Sequence, residues 1–180
     1  KDVKIQIEFN PAKVAAYRLI GYENRILARE DFDDDTKDAG ELGAGHTVTA
    51  LYEIIPAEEQ EPIANDLKYQ QSHIKPEAAE SNELMTIKLR YKPPKDDVSK
   101  LIEKVVEDVQ PGWKSLVTSE NFRFSAAVAG LGLLLRNSQY KGDLTFDKVL
   151  QLANGAKGKD ENGYRQEFIE MTEKCRDLKR

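Results

Sequence analysis

The chain has 180 residues, of which 39% are hydrophobic and 33% charged, the balance of an ordinary globular protein rather than a disordered one. Its net charge of -5 does not attract the phosphate backbone of a nucleic acid, and its one cysteine excludes an internal disulfide and a thiolate zinc cluster. The longest apolar run, residues 125–135, is far shorter than the roughly 20 residues that span a bilayer. We therefore expect neither a nucleic-acid partner nor a membrane-spanning segment.

The first half of the chain predicts strands. Residues 3–9 alternate apolar and polar side chains, the period of a strand with one buried face. After the turn at Asn10-Pro11, residues 15–20 predict a second strand, and we expect the two to form a hairpin. Two further strands are predicted at residues 46–55, ended by Pro56, and at residues 85–91, ended by Pro93-Pro94.

Two details of this half bear on its core and its connections. Residues 57–81 hold few bulky apolar groups and predict a long connection. Aromatic side chains on strands usually pack in the core, so we expect burial of the tyrosines there. They are Tyr17, Tyr22, Tyr52 and Tyr91.

The second half changes from strand to helix. Residues 98–109 have apolar side chains at helical spacing, but their β-branched content favours a fifth strand; the helix stays open as the alternative. Beyond Pro111-Gly112, residues 122–135 predict a helix buried on most sides, in which Gly130 and Gly132 indicate close packing. Two more helices are predicted at residues 146–154 and 162–178. The last of them carries one apolar stripe: Tyr164, Phe168, Met171, Cys175 and Leu178.

These elements predict an α+β protein. An antiparallel β-sandwich-like region of about five strands occupies residues 1–110, and a three-helix region follows at residues 111–180. One continuous α+β domain is the alternative. The chain starts at Lys1 without a methionine and enters a strand pattern at once, so we expect a fragment or a trimmed mature chain.

An acidic loop, residues 31–41, raises the possibility of a bound ion. Three of its carboxylates occupy positions 1, 3 and 5 of an EF-hand-like pattern: Asp31, Asp33 and Asp35. Thr36 stands where such a loop has glycine, and Leu42 where it has a bidentate glutamate, with Glu41 one place early. The pattern favours a solvated surface loop, and a calcium-binding module that uses residues 31–41 is the alternative.

Other short motifs assign no catalytic, cofactor-binding or metal-binding residue. His46 and His73 have no second histidine or cysteine at metal-ligand spacing. The glycines of residues 40–45 precede a strand rather than a helix, which favours turn glycines with positive φ over a phosphate-binding loop. Common hydrolase signatures are absent, although an enzyme that uses scattered carboxylates stays open.

Three segments together resemble one bacterial family: residues 16–25, 38–53 and 122–130. The resemblance continues through residues 84–94 and the final helix, so it covers nearly the whole chain. The family is the region carboxy-terminal to a von Willebrand factor A domain in bacterial proteins.

This resemblance implies a non-catalytic accessory or protein-interaction region in an exported, periplasmic or cell-surface protein, lipid-anchored in some members. The implied partners are the adjacent von Willebrand factor A domain of the parent chain and an envelope protein. The metal-dependent adhesion motif Asp-x-Ser-x-Ser belongs to the A domain itself. Its nearest counterpart, residues 97–101, lacks the second serine, so no metal ligands carry over.

Overall fold

The computed structural model describes residues 1–22, 26–59, 74–108 and 117–179. These residues form two compact units, one within Lys1–Trp113 and one within Lys114–Arg180. The first unit is built mainly of strands and the second of helices, which confirms the predicted α+β class. The predicted change of character at Pro111-Gly112 lies outside the described residues.

The described part of the first unit holds five strands: β1 (Lys4–Phe9), β2 (Val14–Ile20), β3 (Leu51–Pro56), β4 (Glu83–Tyr91) and β5 (Lys100–Glu107). β1, β4 and β5 form an antiparallel sheet in that order, and β2 and β3 form a second antiparallel sheet. Of the segment that suited either a helix or a strand, residues 98–109, Lys100–Glu107 is a strand. A short helix, α1 (Pro76–Glu80), leads into β4.

The predicted hairpin between the first two strands is wrong. β1 pairs with β4 and β2 pairs with β3, so the two lie in different sheets. The reason is the corner that joins them, where Val14 N donates to Asn10 O at 2.9 Å and the Asn10 side chain donates to the carbonyls of Ala78 and Glu83 at 2.9 and 2.8 Å. These bonds hold the corner to the start of β4 and direct the chain into the second sheet.

The predicted third strand is too long at its start. Residues 46–50 are not in a strand, because Leu51 pairs with Ile20, the last residue of β2, and Gly21 then turns the chain with a φ of 76°. Residues 60–73, the middle of the predicted long connection, lie outside the described residues.

The expected burial of the strand tyrosines in the core is wrong, since none of the four is fully buried. Tyr17 is 60% exposed and Tyr22 is 48% exposed, whereas Tyr52 and Tyr91 are half-buried. Tyr17 nevertheless packs one ring face near Phe9 of β1, with 4.5 Å between ring centroids, and Tyr52 lies 5.7 Å from the same ring. These two contacts join the second sheet to the Phe9 end of the first.

Three helices form the described part of the second unit: α2 (Glu120–Leu135), α3 (Phe146–Gly155) and α4 (Tyr164–Leu178). The side-chain oxygens of Ser119 and Thr145 accept hydrogen bonds from the first turns of α2 and α3, which fixes where these helices begin. Side chains of all three helices meet in one core: Ala127, Leu131, Leu134, Val149, Leu150, Ala153 and Ile169. Among the described residues, no helix is long and apolar enough to cross a membrane.

Helix α2 buries less of its apolar surface than the sequence predicts. On α2, Val128 and Leu135 are 46% and 49% exposed, so one side of this helix faces outward. Gly130 is closely packed, since a Cβ there would lie 3.1 Å from Leu144 Cδ2, but a Cβ at Gly132 would meet nothing within 4 Å. The prediction of close packing is thus confirmed for Gly130 and wrong for Gly132.

Candidate functional site

The acidic loop, residues 31–41, is anchored to the polar face of the first sheet by a buried lysine. Lys4 of β1 is 4% exposed, and its Nζ donates to the carbonyl oxygens of Asp31 at 2.9 Å and Asp34 at 2.5 Å. Phe32, between these two carbonyls, is also buried and lies against the Arg90 guanidinium, 5.5 Å from ring centroid to Cζ. A lysine can be buried at low cost only when its ammonium is hydrogen-bonded, and this loop provides the acceptors.

The three carboxylates of the calcium-loop pattern each have a different partner. Asp33 pairs with Arg90 at 2.5 Å, and Asp31 lies 3.4 Å from Lys37 Nζ. Asp35 accepts a hydrogen bond from the backbone N–H of Ser99 at 3.2 Å, and bonding to Ser99 lowers the pKa of this carboxyl. The structure therefore does not bring Asp31, Asp33 and Asp35 together around one position.

A different group of carboxylates does converge. Asp2, Asp38 and Glu41 place one oxygen each within 4.8 Å of one another. Lys92 donates to Asp2 at 2.7 Å and to the Asp35 carbonyl at 2.8 Å, so a protein cation already lies against this group. The hydrogen bond between Lys92 and the Asp2 carboxylate lowers the pKa of Asp2 and raises the pKa of Lys92. Two of the three carboxylates lie in the acidic loop, but Asp2 could not be found from the loop pattern because it lies far away in the sequence.

The remaining predicted positions serve local structure. Gly45 has a φ of 78°, as expected of a turn glycine, whereas Gly40 pairs with Val3 in an isolated bridge and Gly43 accepts from His46 N in the following turn. Gly40 and Gly43 do not have positive φ, so that part of the prediction holds for Gly45 alone. His73 lies outside the described residues.

The other face of the first sheet is apolar; the second sheet contacts it at Phe9, whereas Ile5 and Ile102 are exposed. Register aligns Ile5 of β1 with Leu89 of β4 and Ile102 of β5, so the three side chains form one row across the sheet. Ile5 is 48% exposed, Ile102 is 54% exposed and Leu89 is half-buried. We call this surface the apolar face; it comprises Ile5, Ile7, Phe9, Met85, Ile87, Leu89, Tyr91, Ile102 and Val106, none of which is fully buried.

β5 forms one edge of this surface. It pairs with β4 on one side, and on its other side no described residue continues the sheet. On the apolar face, Lys100 and Lys104 flank Ile102; on the opposite face, Leu101 is 47% exposed. Charged residues on an edge strand restrict which strands can pair with it. The face is therefore apolar at its centre and basic along one edge.

Comparison with known proteins identifies the family but not a fold. Residues 1–178 match the family model described as "Uncharacterized protein YfbK, C-terminal". The "Uncharacterized protein YfbK" of Escherichia coli (strain K12) is 41% identical over 173 residues, which cover 96% of this chain and 29% of that protein. No solved structure matches. The chain thus spans less than a third of the length of its curated relative, and it belongs to the YfbK C-terminal family.

Proposed function

We propose that this chain is a non-catalytic accessory region that follows a von Willebrand factor A domain in a bacterial cell-envelope protein. Its role is to bind that domain, or an envelope protein next to it, at the periplasmic or cell-surface side. The observation that carries the proposal is the apolar face, where Ile5, Leu89 and Ile102 form a row in which Ile5 and Ile102 are exposed and Leu89 is half-buried. Contiguous exposed apolar surface of this kind marks protein-interaction sites.

The energetics favour a partner that covers this face. Removing apolar surface from water stabilises a complex by about 25 cal/mol per Å², and a fully covered isoleucine contributes about 1.5–3 kcal/mol. Lys100 and Lys104 border Ile102 along β5. A complementary surface is therefore apolar in its middle and carries carboxylates opposite these lysines.

The state of the acidic groups supports the non-catalytic part of the proposal. The carboxylates of Asp33 and Asp35 and the ammonium of Lys4 are engaged in contacts that hold the acidic loop in place. A general acid or base needs a polar group that is available to a substrate. The contacts of these three groups hold the acidic loop in place, which is a structural role.

The experiment is a binding titration between this chain and the separately expressed A domain of the same parent protein. Ile102→Asp places a charge on the apolar face, and Leu101→Asp places the same charge on the opposite face of the same strand at similar exposure. We expect Ile102→Asp to weaken binding at least about tenfold, which corresponds to about 1.4 kcal/mol, and Leu101→Asp to leave it nearly unchanged. No association of the unmodified chain, or equal loss in both variants, would contradict the proposal.

A further inference from the structure

Helix α4 carries a second uncovered surface, independent of the apolar face. Five exposed residues line one side of the helix: Tyr164, Glu167, Met171, Lys174 and Leu178. Their spacing of three and four residues places them along one line, which we call the α4 stripe. Tyr164 is 72% exposed, Met171 is 49% exposed and Leu178 is 86% exposed.

Contacts within the second unit hold this stripe outward. On the inner side of α4, Ile169 and Thr172 are buried, and Phe168 packs edge-on against Phe124 of α2 with 5.3 Å between ring centroids. Arg176 pairs with Asp147 of α3 at 3.1 Å. Rotation of α4 to bury the stripe would break these contacts, so the stripe stays exposed among the residues that the structure describes.

The α4 stripe is complementary to itself when two copies run antiparallel. Met171 lies midway between Tyr164 and Leu178, so a twofold axis at Met171 places Tyr164 opposite Leu178 of the second copy. Glu167 and Lys174 lie on the same flank of the line, and the same axis brings Glu167 next to Lys174 of the second copy. Neither side chain forms an ion pair within the residues that the structure describes. A parallel pair would place Glu167 and Lys174 of the two copies on opposite flanks and about 10 Å apart along the helices, so neither ion pair would form.

We propose that α4 is the contact of a symmetric homodimer, in which the α4 stripes of two copies pack antiparallel. Met171 meets its counterpart at the axis, apolar pairs of Tyr164 and Leu178 close both ends, and two ion pairs flank the centre. The contact uses the same patch on both copies, as a twofold axis requires. One helix from each copy, about 21 Å long between Tyr164 and Leu178, covers less than the roughly 1,200 Å² of stable complexes, so the dimer is weak and concentration-dependent.

The ion pairs provide the sharpest test. Sedimentation equilibrium of the full chain, up to about 1 mM, is measured for Glu167→Lys, for Lys174→Glu and for the double exchange. Each single variant converts both ion pairs into like-charge contacts, and we expect roughly fivefold to tenfold weaker dimerisation. The double exchange restores both pairs with reversed sign and should return the dissociation constant to within about twofold of the unmodified chain.

Cysteine cross-linking tests the position of the axis. With Cys175→Ser as background, Met171→Cys places two thiols across the axis, where they should oxidise to a disulfide-linked dimer. Val128→Cys, on the exposed side of α2, has similar exposure and is the matched control, which should remain monomeric. A chain that stays monomeric throughout the concentration range, a double exchange that fails to restore association, or equal cross-linking at both positions would overturn the proposal.

Discussion

Replacing Gly130 with alanine tests the packing of the helical core directly. A Cβ at this position would lie 3.1 Å from Leu144 Cδ2 and 3.3 Å from Val149 Cγ2, closer than ordinary van der Waals contact. Val149 is 1% exposed and β-branched, so it has little freedom to move. Overpacking of this kind typically costs about 1–3 kcal/mol.

Gly132 provides the matched comparison on the same helix. A Cβ there meets nothing within 4 Å, so Gly132→Ala gains only the helix preference of alanine, about 0.5–1 kcal/mol. The same gain applies to Gly130→Ala and cancels in the difference between the two variants. We therefore expect Gly130→Ala to be less stable than Gly132→Ala by about 1–3 kcal/mol.

Thermal unfolding followed by far-UV circular dichroism measures this difference, because the helices contribute most of the signal. For a unit of this size, 1 kcal/mol corresponds to roughly 4–8 °C in the melting temperature. Gly132→Ala should melt above the unmodified chain. If Gly130→Ala were equally stable or more stable than Gly132→Ala, the close approach of α2 to Leu144 and Val149 would be refuted.

Three further predictions concern the acidic loop and its surroundings. Lys4→Met should destabilise the first unit by about 1–3 kcal/mol, because two loop carbonyls lose their hydrogen-bond donor. The same change should speed hydrogen exchange in the acidic loop. The control variant Lys88→Met should have neither effect. The pKa of Asp2 is held below its ordinary value of 3.8 by Lys92, so the stability from this pair is complete above that pH and is lost as the pH falls through the lowered value. The pKa of Lys92 is raised above 10.5, so the stability from the same pair persists in mild alkali and is lost as the pH rises through the raised value. In Asp2→Asn the pair is absent, so unfolding curves measured against pH should show a smaller loss of stability in both acid and alkali. Calcium titration should leave the melting temperature unchanged, because Asp31, Asp33 and Asp35 each have a different partner and do not converge. A rise that Asp33→Ala removes would restore the calcium-binding alternative.

The periodic patterns predicted the elements well because they depend on neighbouring residues. The alternation in β4 and the stripe spacing in α4 each identify an element of the correct type. The pairing of β1 with β4 could not be predicted, because it aligns residues that are distant in sequence, such as Lys4 and Arg90. The sequence alone therefore favoured a local hairpin over the long-range pair that forms.

Contacts between residues distant in sequence also determine the acidic loop, the apolar face and the α4 stripe, so the sequence alone predicted each of them only in part. The spacing of Asp31, Asp33 and Asp35 matched only part of a calcium pattern. Two of these carboxylates are held by Arg90 and Ser99, which no local motif connects to the loop. Alternation placed Ile5 and Leu89 on one face of their strands, yet only the register reveals that they align with Ile102. On α4, periodicity identified the apolar residues but not the side that packs, because Ile169 and Thr172 interrupt the apolar spacing and are the buried ones.

The central claim, that a partner covers the apolar face, is tested most directly by thiol labelling. In a Cys175→Ser background, Ile102→Cys and Leu101→Cys place a thiol on opposite faces of β5, and both should react rapidly in the isolated chain. Addition of the A domain of the parent protein should slow labelling at position 102 by at least about tenfold, as expected of a residue buried by binding, and leave position 101 reactive. Unchanged labelling at position 102 when the A domain is bound would contradict the account.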